Sequence, residues 1–297
     1  MRGAATLRYG SQAIGGVVNS INNRVPMTLP EAASANVNAS YGTNGDVAQA
    51  AGELDAGAGQ FAFHADAFGR HADDYDVPGG TQANSFVHGY GYSGGSSYFF
   101  GDDNASHTGL SVIHYDAEYG IPSDTTFIDM RQTKLLSKSS IALGDGTWKA
   151  LNVDVGYADY VHDEKDPDNT VEATFRNKEW DGRAEVTLGP TGPLSASALG
   201  VQFGDRDFSA EGDASTYLLP TQTHSVAAFA FTEAPLGQRT QLQAAGRVEQ
   251  LAEALDAYRG ALLVVSHDFG FLERIRVSTV IEIDRGGHLY LRGDLTR

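Results

Sequence analysis

The stretch most informative about the fold class reads Leu151-Asn152-Val153-Asp154-Val155-Gly156-Tyr157-Ala158-Asp159-Tyr160-Val161. Its odd-numbered positions carry Leu, Val, Val, Tyr, Asp and Val, and its even-numbered positions carry Asn, Asp, Gly, Ala and Tyr. Successive side chains of a β-strand point to opposite faces, so an alternation with a period of two is typical of a strand with one apolar face. We therefore predict a strand here.

Similar alternation occurs along most of the chain. Residues 61–66, 183–188 and 241–248 each place apolar or small side chains on one parity. Clusters of Gly, Asn, Asp and Pro separate the runs, at residues 42–45, 79–80, 101–104, 144–146, 166–169 and 189–193. About ten or eleven strands fit between residues 35 and 249, at the spacing of an antiparallel all-β architecture.

Two architectures fit this pattern. In a soluble sandwich or propeller the apolar face fills a core, whereas in a membrane barrel it faces lipid and the other face lines a polar lumen. Tyrosines near the predicted strand ends favour the barrel, because aromatic side chains collect at the two membrane interfaces. These are Tyr92, Tyr115, Tyr119, Tyr157 and Tyr160. No apolar run is long enough for a transmembrane helix.

Composition excludes several kinds of site. The chain of 297 residues has 38 Asp and Glu against 21 Lys and Arg, a formal net charge of -17, and no Cys. Such an acidic chain is poorly suited to binding nucleic acid through phosphates. The absence of cysteine excludes disulfides, thiol nucleophiles and thiolate zinc sites. Residues 1–30 differ from the rest, with Arg2, Arg8 and Arg24 and no acidic residue.

The N-terminal segment carries a specific family resemblance. It reads Arg2-Gly3-Ala4-Ala5-Thr6-Leu7-Arg8-Tyr9-Gly10-Ser11-Gln12-Ala13-Ile14-Gly15-Gly16-Val17-Val18-Asn19. This run resembles the end of the plug domain of TonB-dependent outer-membrane receptors, where it leads into the first barrel strand. Ala4 stands where that family usually has Pro. We expect Tyr9-Gly10-Ser11 to form a turn and Val17-Val18 to enter a buried strand.

The middle of the chain resembles barrel segments of the same family. The matching segments are residues 114–122, 128–133, 156–160, 174–177 and 206–210. The resemblance implies the end of a plug domain over residues 1–29 and part of an antiparallel transmembrane β-barrel over residues 30–249. It also implies an outer-membrane location, lipid and the TonB system as partners, and a metal, siderophore or similar ligand as cargo.

The length limits what such a chain can do. About 220 residues are too few for the 22 strands of a plugged transporter of this kind. Residues 1–10 also lack the basic and apolar regions of a secretory signal peptide. We therefore expect a truncated receptor that does not transport on its own and is not an enzyme.

Nine histidines raise the question of a metal site. The candidates are His64 and His71 with the acidic run Asp73-Asp74-Tyr75-Asp76, and His107 with His114. Imidazole and carboxylate groups bind divalent ions when they converge on one point. Scattered His and Asp are more often solvated, so we assign no metal ligands from the sequence.

Zinc is not identified as the cargo. The matched subgroup is often associated with zinc uptake, and its zinc receptors carry a His-rich loop after the segment matched by Tyr119-Gly120-Ile121-Pro122. Here Ser123-Asp124-Thr125-Thr126 follow, without histidine.

Residues 250–297 have a different character. We predict a helix over residues 251–258, a buried strand over residues 261–265, and a hairpin of residues 280–284 with residues 288–291. Residues 258–268, with Phe271 and Leu272, resemble the end of an ABC-F type ATPase, in which the histidine matching His267 is the switch residue near the ATP γ-phosphate. We thus expect a small α/β C-terminal segment.

This segment is not expected to bind nucleotide. The chain contains no Gly-Lys pair, and a phosphate-binding loop needs one. We treat Ser93-Gly94-Gly95, which is similar to the ABC signature, as a chance match, and we predict no catalytic residue and no cofactor. Two alternatives to a receptor fragment remain, namely an ABC-F ATP-binding remnant and a soluble all-β binding module.

Overall fold

The computed structural model describes residues 3–10, 16–18, 22–122, 124–237, 240–253, 280–283 and 289–292. The chain divides into two compact units, Met1–Glu253 and Ala254–Arg297. The first unit contains a large β-sheet, and the described part of the second is a short hairpin.

The described strands follow one another with few helical turns. They are β1 (Ser34–Gly42), β2 (Val47–Ala58), β3 (Phe61–Ala72), β4 (Asp76–Val77), β5 (Gly80–Thr81), β6 (Val87–Phe100), β7 (Ser106–Gly120), β8 (Phe127–Ala142), β9 (Trp148–Lys165), β10 (Val171–Leu188), β11 (Ala196–Gly212), β12 (Thr221–Leu236), β13 (Thr240–Glu253), β14 (Val280–Ile283) and β15 (Leu289–Arg292). Short 3-10 helices span Gly3–Arg8, Asp102–Asn104 and Asp213–Thr216.

The large sheet is an antiparallel meander. It has 11 strands in the order β1-β2-β3-β6-β7-β8-β9-β10-β11-β12-β13, so each strand pairs with its neighbours along the chain. Strands β1 and β13 are its two edges and do not pair with each other, so the described sheet is not closed. The prediction of ten or eleven antiparallel strands is confirmed, and residues 151–161 lie within β9.

The two faces of the sheet differ in chemistry. We call the face on which the N-terminal residues pack the inner face. In β3 the inner face carries Ala62 and His64, which are buried, whereas Phe61 and Phe63 on the outer face are 48% and 45% exposed. The described residues provide no layer over these outer side chains, so the apolar face predicted from the alternation does not fill a protein core.

Large apolar side chains continue along the outer face of the other strands. Members of this set are Leu110, Val112, Leu135, Leu199, Val201, Phe203, Val226, Leu242 and Val248, each at least 42% exposed. Among the side chains that the structure describes, buried apolar ones are few and mostly small. One cluster joins Ala173, Ala210 and Ala214 beside the connection of β11 to β12.

The structure corrects part of the aromatic prediction. Tyr92 and Tyr157 lie on the outer face, where Tyr157 packs against Trp180 with ring centroids 4.7 Å apart. Tyr115 has inner-face parity and stacks on Phe68 at 5.8 Å, and Tyr119 and Tyr160 share that parity. The error arose because proximity to a strand end does not determine which face a residue occupies.

The two ends of the sheet carry connections of different length. At one end the connections are residues 59–60, 101–105, 143–147, 189–195 and 237–239. At the other end they are residues 43–46, 73–86, 121–126, 166–170 and 213–220, and the second of these contains the β4–β5 hairpin. The predicted turn clusters lie in these connections, and Gly79-Gly80 lies within that hairpin.

One side chain joins two of the longer connections. Nδ2 of Asn84 donates to the carbonyl oxygens of Ile121, Asp124 and Thr126 at 3.1, 3.2 and 2.6 Å. The Asp124 carboxylate accepts the Thr125 amide at 2.6 Å. Hydrogen bonds from the Thr125 and Thr126 amides hold the pKa of the Asp124 carboxyl below its usual range, because they favour its charged form.

The C-terminal prediction is correct only in part. Residues 251–253 belong to β13, so no helix begins at Leu251; backbone pairing with residues 223–225 of β12 overrides the helical spacing. The predicted hairpin is present, as β14 pairs with β15. Residues 254–279, including the predicted strand over residues 261–265 and His267, lie outside the described residues. Within the described part of the chain, no helix is long and apolar enough to cross a membrane.

We expect Asn84→Ala to loosen the connection formed by residues 121–126. The change removes all three hydrogen bonds and places an alanine at a position whose φ is 57°, a conformation that alanine disfavours. The local stability of the connection therefore falls by about 1–2 kcal/mol. Hydrogen–deuterium exchange of the peptide covering residues 121–126 measures this.

Asn104→Ala is the matched control. Asn104 also has a positive φ, 56°, but lies in a connection at the opposite end of the sheet. Unchanged exchange in Asn84→Ala, or equal acceleration in both variants, would contradict the assigned role.

Candidate functional site

The candidate site is the contact between the N-terminal residues and the inner face of the sheet. The 3-10 helix Gly3–Arg8 packs against β12 and β13, and residues 23–30 lie against β2, β3 and β6. Each of these two contact regions contains a group of charged side chains.

The first group centres on Glu185 of β10. Its side chain is 7% exposed and pairs with both Arg8 and Arg183. Nε of Arg8 donates to Oε2 of Glu185 at 3.1 Å, and Arg183 also donates to the Arg8 carbonyl oxygen. The guanidinium of Arg183 lies 4.4 Å from the ring centroid of Phe229 and 5.0 Å from that of Tyr9. A buried carboxylate thus has two cations, and one comes from the N-terminal helix.

The second group centres on Asp66 of β3. Nε and Nη2 of Arg24 donate to its two oxygens at 3.0 and 3.2 Å, a bidentate pair that fixes orientation as well as distance. Ser93 of β6 donates to the same carboxylate. The adjacent Asn23 donates to Asp55 of β2.

His64 links the carboxylates of this second group. Its side chain is 4% exposed; Nδ1 lies 2.9 Å from Oδ1 of Asp55 and Nε2 lies 3.1 Å from Oδ2 of Asp66. An imidazolium ring donates both of these hydrogen bonds, whereas a neutral ring donates only one. The ring therefore joins the two strands that bind Asn23 and Arg24.

Glycines on the inner face allow the N-terminal backbone to approach the sheet. A Cβ at Gly95 would overlap the Arg24 carbonyl oxygen, and one at Gly57 would lie 2.9 Å from the Pro30 carbonyl oxygen. Gly95 belongs to the Ser93-Gly94-Gly95 sequence, which lies within β6. A role in packing a backbone segment explains its small side chains.

Sequence reasoning did not identify these ion pairs. The available signal was charge: the arginines of residues 1–30 have no acidic neighbour in sequence, so their partners had to come from elsewhere. Which of the many carboxylates would serve could not be read from the sequence, because Arg8 and Glu185 are 177 positions apart.

The predicted histidine groupings form only in part. His64 is on the inner face, whereas His71 is on the outer face near Asp73 and His88. Asp74 accepts the backbone amides of Asn84 and Ser85 at 3.0 and 2.6 Å.

The Asp76 carboxylate accepts a hydrogen bond from the Thr81 hydroxyl at 2.9 Å. His107 and His114 have opposite parity on β7 and so lie on opposite faces, which rules out this candidate pair as a metal site. Of the predicted candidates, therefore, only His71 and Asp73 come together.

The chemistry of the two charged groups suits docking. Each buried carboxylate is paired with a cation or accepts hydrogen bonds, and each group includes a side chain from the N-terminal residues. Breaking such a pair from one side leaves a buried charge without compensation, which is strongly destabilising. The arrangement therefore fixes where the N-terminal residues sit.

Comparison with known proteins identifies the fold. No protein-family model and no curated protein matches the sequence. The copper transporter OprC superposes with a TM-score of 0.62 at 14% identity, over 77% of this chain and 39% of that chain.

Two iron-related structures give similar values. The FrpB iron transporter from Neisseria meningitidis has a TM-score of 0.62 at 11% identity, over 76% of this chain and 42% of that one. A mutant ferric enterobactin receptor, PfeA, from Pseudomonas aeruginosa has a TM-score of 0.65 at 13% identity, over 84% and 44%. The chain thus spans roughly two fifths of the length of these neighbours. At this identity the likeness concerns the fold, a partial β-barrel of the outer-membrane receptor type, and these neighbours are transporters and receptors rather than enzymes.

We expect Gly95→Ala to displace the N-terminal residues from the sheet, because the added methyl group overlaps the Arg24 carbonyl oxygen. Limited proteolysis should then cleave within residues 22–33 faster than in the unmodified chain. Gly94→Ala is the matched control: a Cβ there meets nothing within 4 Å and points to the outer face. Equal cleavage of the two variants would show that the close approach at Gly95 does not hold the segment.

Proposed function

We propose that the chain is part of an outer-membrane, TonB-dependent receptor that takes up a metal, a metal chelate or a similar ligand. The observation that carries the proposal is the contrast between the two faces of the sheet. The outer face presents an uncovered apolar band, and the inner face is polar and holds the N-terminal residues through buried ion pairs.

Two rows of aromatic side chains bound the apolar band. The row near the shorter connections contains Phe61, Tyr98, Phe100 and Trp148, and the other contains Tyr90, Tyr92, Tyr157 and Trp180. Trp148 reaches the outer face because a register shift between β9 and β10 places it opposite Leu188. The rows are eight or nine residues apart along β6 and β9. At about 3.3 Å per residue and a strand tilt of about 40° this separation is about 20–25 Å. Outer-membrane barrels have an apolar band about 25 Å high between aromatic girdles.

The two open edges of the sheet indicate that further strands are needed to close the barrel. The outward backbone groups of β1 and β13 have no partner strand among the described residues. In hydrocarbon each unpaired backbone group costs several kcal/mol, so a membrane sheet must close. We propose that strands beyond those described here complete the barrel in the functional receptor.

The unequal connections suggest an orientation. Barrels of this class have short periplasmic turns and longer extracellular loops. On this basis residues 73–86, 121–126 and 213–220 face the outside. Residues 1–29 then represent the end of a plug, and its described parts Gly3–Arg8, Asn23 and Arg24 contact the barrel wall.

The cargo class follows from the neighbours by analogy only. OprC is a copper transporter, FrpB is an iron transporter and PfeA is a ferric enterobactin receptor. We propose a metal or metal chelate as cargo for the present chain on the same fold. The resemblance of residues 250–297 to an ABC-F ATPase has no match among these proteins and remains a prediction.

We expect Val201→Arg to weaken membrane association. Val201 is 55% exposed between the aromatic rows, and an arginine on the lipid face near the bilayer centre costs about 2–4 kcal/mol. The measurement is the vesicle-bound fraction of the purified chain as lipid concentration is varied.

Gln222→Arg is the control for this measurement. Gln222 lies on the same face of the sheet but beyond the row of Tyr90, Tyr92, Tyr157 and Trp180, where the cost falls to about 0–1 kcal/mol. If both variants bind vesicles as the unmodified chain does, the outer face does not contact lipid and a soluble all-β module is the better interpretation.

The open sheet leads to a second test. We expect liposomes reconstituted with this chain alone to take up a ferric siderophore no faster than protein-free liposomes. Accumulation well above that background would overturn the proposal that further strands are required.

A further inference from the structure

A second group of charged and imidazole side chains lies on the outer face, away from the docking contacts. His71 near the end of β3 is directly opposite His88 near the start of β6. Their rings stack with centroids 4.1 Å apart and an interplanar angle of 6°. The strand register therefore places two imidazoles side by side.

A carboxylate completes the group. Oδ1 of Asp73 lies 3.4 Å from Nε2 of His71. The Asp73 backbone amide donates to the Gly45 carbonyl oxygen at 2.7 Å, which fixes this residue against the turn between β1 and β2. One ligand atom from each of His71, Asp73 and His88 lies within 4.8 Å of the others.

His88 supplies an independent observation. Its Nε2 is shielded from solvent and has no hydrogen-bond partner among the described residues. The ring contacts Phe86 as well as His71, with a centroid distance of 5.3 Å to the Phe86 ring. A shielded ring nitrogen without a partner is costly, and a bound cation would satisfy it.

We infer that His71, Asp73 and His88 form a binding site for a borderline divalent metal ion such as Zn²⁺. Two imidazoles and one carboxylate are ligands that Zn²⁺, Cu²⁺ and Ni²⁺ accept, whereas Mg²⁺ and Ca²⁺ prefer oxygen throughout. Ligands bound at about 2.0–2.1 Å in a tetrahedron are about 3.4 Å apart. Small side-chain rotations close the group to that size, and His71 and Asp73 are free to make them because their side chains are 58% and 59% exposed.

The site is separate from any path through a barrel. His71 shares the parity of Phe61 and Phe63, so it faces away from the inner surface and its docking contacts. Its position beside residues 73–86 indicates what a bound ion does: it links the first residue of that long connection to both flanking strands. Metal binding therefore orders the connection, independently of the proposed uptake function.

Zinc titration of the full chain in detergent micelles, by competition with a chromogenic chelator, tests the inference. Compared with the unmodified chain, His71→Ala and His88→Ala should each lose a single zinc equivalent or bind it at least about tenfold more weakly, since even outer-shell changes at metal sites cost that much. Zinc held by other histidines is common to all variants, so the difference between variants is the readout.

His114→Ala is the matched control, because His114 is also on the outer face but pairs with Asp116 and Thr133. It should bind zinc as the unmodified chain does. In a second readout, zinc should slow hydrogen–deuterium exchange of residues 73–86 in the unmodified chain and not in His88→Ala. Equal zinc binding by the unmodified chain, His71→Ala and His88→Ala, or no binding by any of them, would overturn the inference.

Discussion

The antiparallel pairing of neighbouring strands is the constraint on which the other features of this protein depend. Pairing in a fixed register assigns every side chain to one of two faces, and a shift of one residue would exchange the faces along a whole strand. In the observed register most of the exposed large apolar side chains of β3 through β13 share the outer face, while Asp55, His64, Asp66 and Glu185 share the inner face. The exposed apolar band and the polar surface therefore have a common cause.

The polar face acquires its specificity from the N-terminal residues. Asp66 and Glu185 are carboxylates on largely buried strand positions, and each meets an arginine from residues 8–24. Buried ion pairs contribute little net stability because desolvation offsets much of their attraction, but a misplaced pair is penalised heavily. These ion pairs are thus suited to fixing a single position for the N-terminal residues on the broad inner face. Glycine at position 95 adds a steric requirement at the same place.

On the outer face, the polar and charged residues lie mainly beyond the aromatic rows rather than between them. Between the aromatic rows the outer face is mainly apolar, whereas beyond the row that contains Tyr90 and Tyr157 it carries His71, His88, Glu118 and Asp129 at directly paired positions. Ionisable side chains are destabilising on a surface that contacts hydrocarbon, whereas a surface that contacts water tolerates them. The group proposed to bind a metal therefore occurs where ionisable side chains are tolerated and where the longer connections begin.

The sequence alone was sufficient for the strands of the large sheet, for most turns and for the antiparallel class, because period-two alternation and Gly-Asn-Asp clusters are local signals. The expectation that Val17-Val18 enter a buried strand was wrong, because residues 16–18 are not in a strand and Val18 is 98% exposed. The sequence was also sufficient for the C-terminal hairpin of β14 and β15. It misassigned residues 251–253, where a local helical spacing competes with pairing to β12, and placed Tyr115, Tyr119 and Tyr160 with the outer aromatics. Only the tertiary structure decided which histidines meet, which carboxylates receive Arg8 and Arg24, and which face each tyrosine occupies. These depend on register between strands and on contacts as much as 177 positions apart, and no local pattern encodes them.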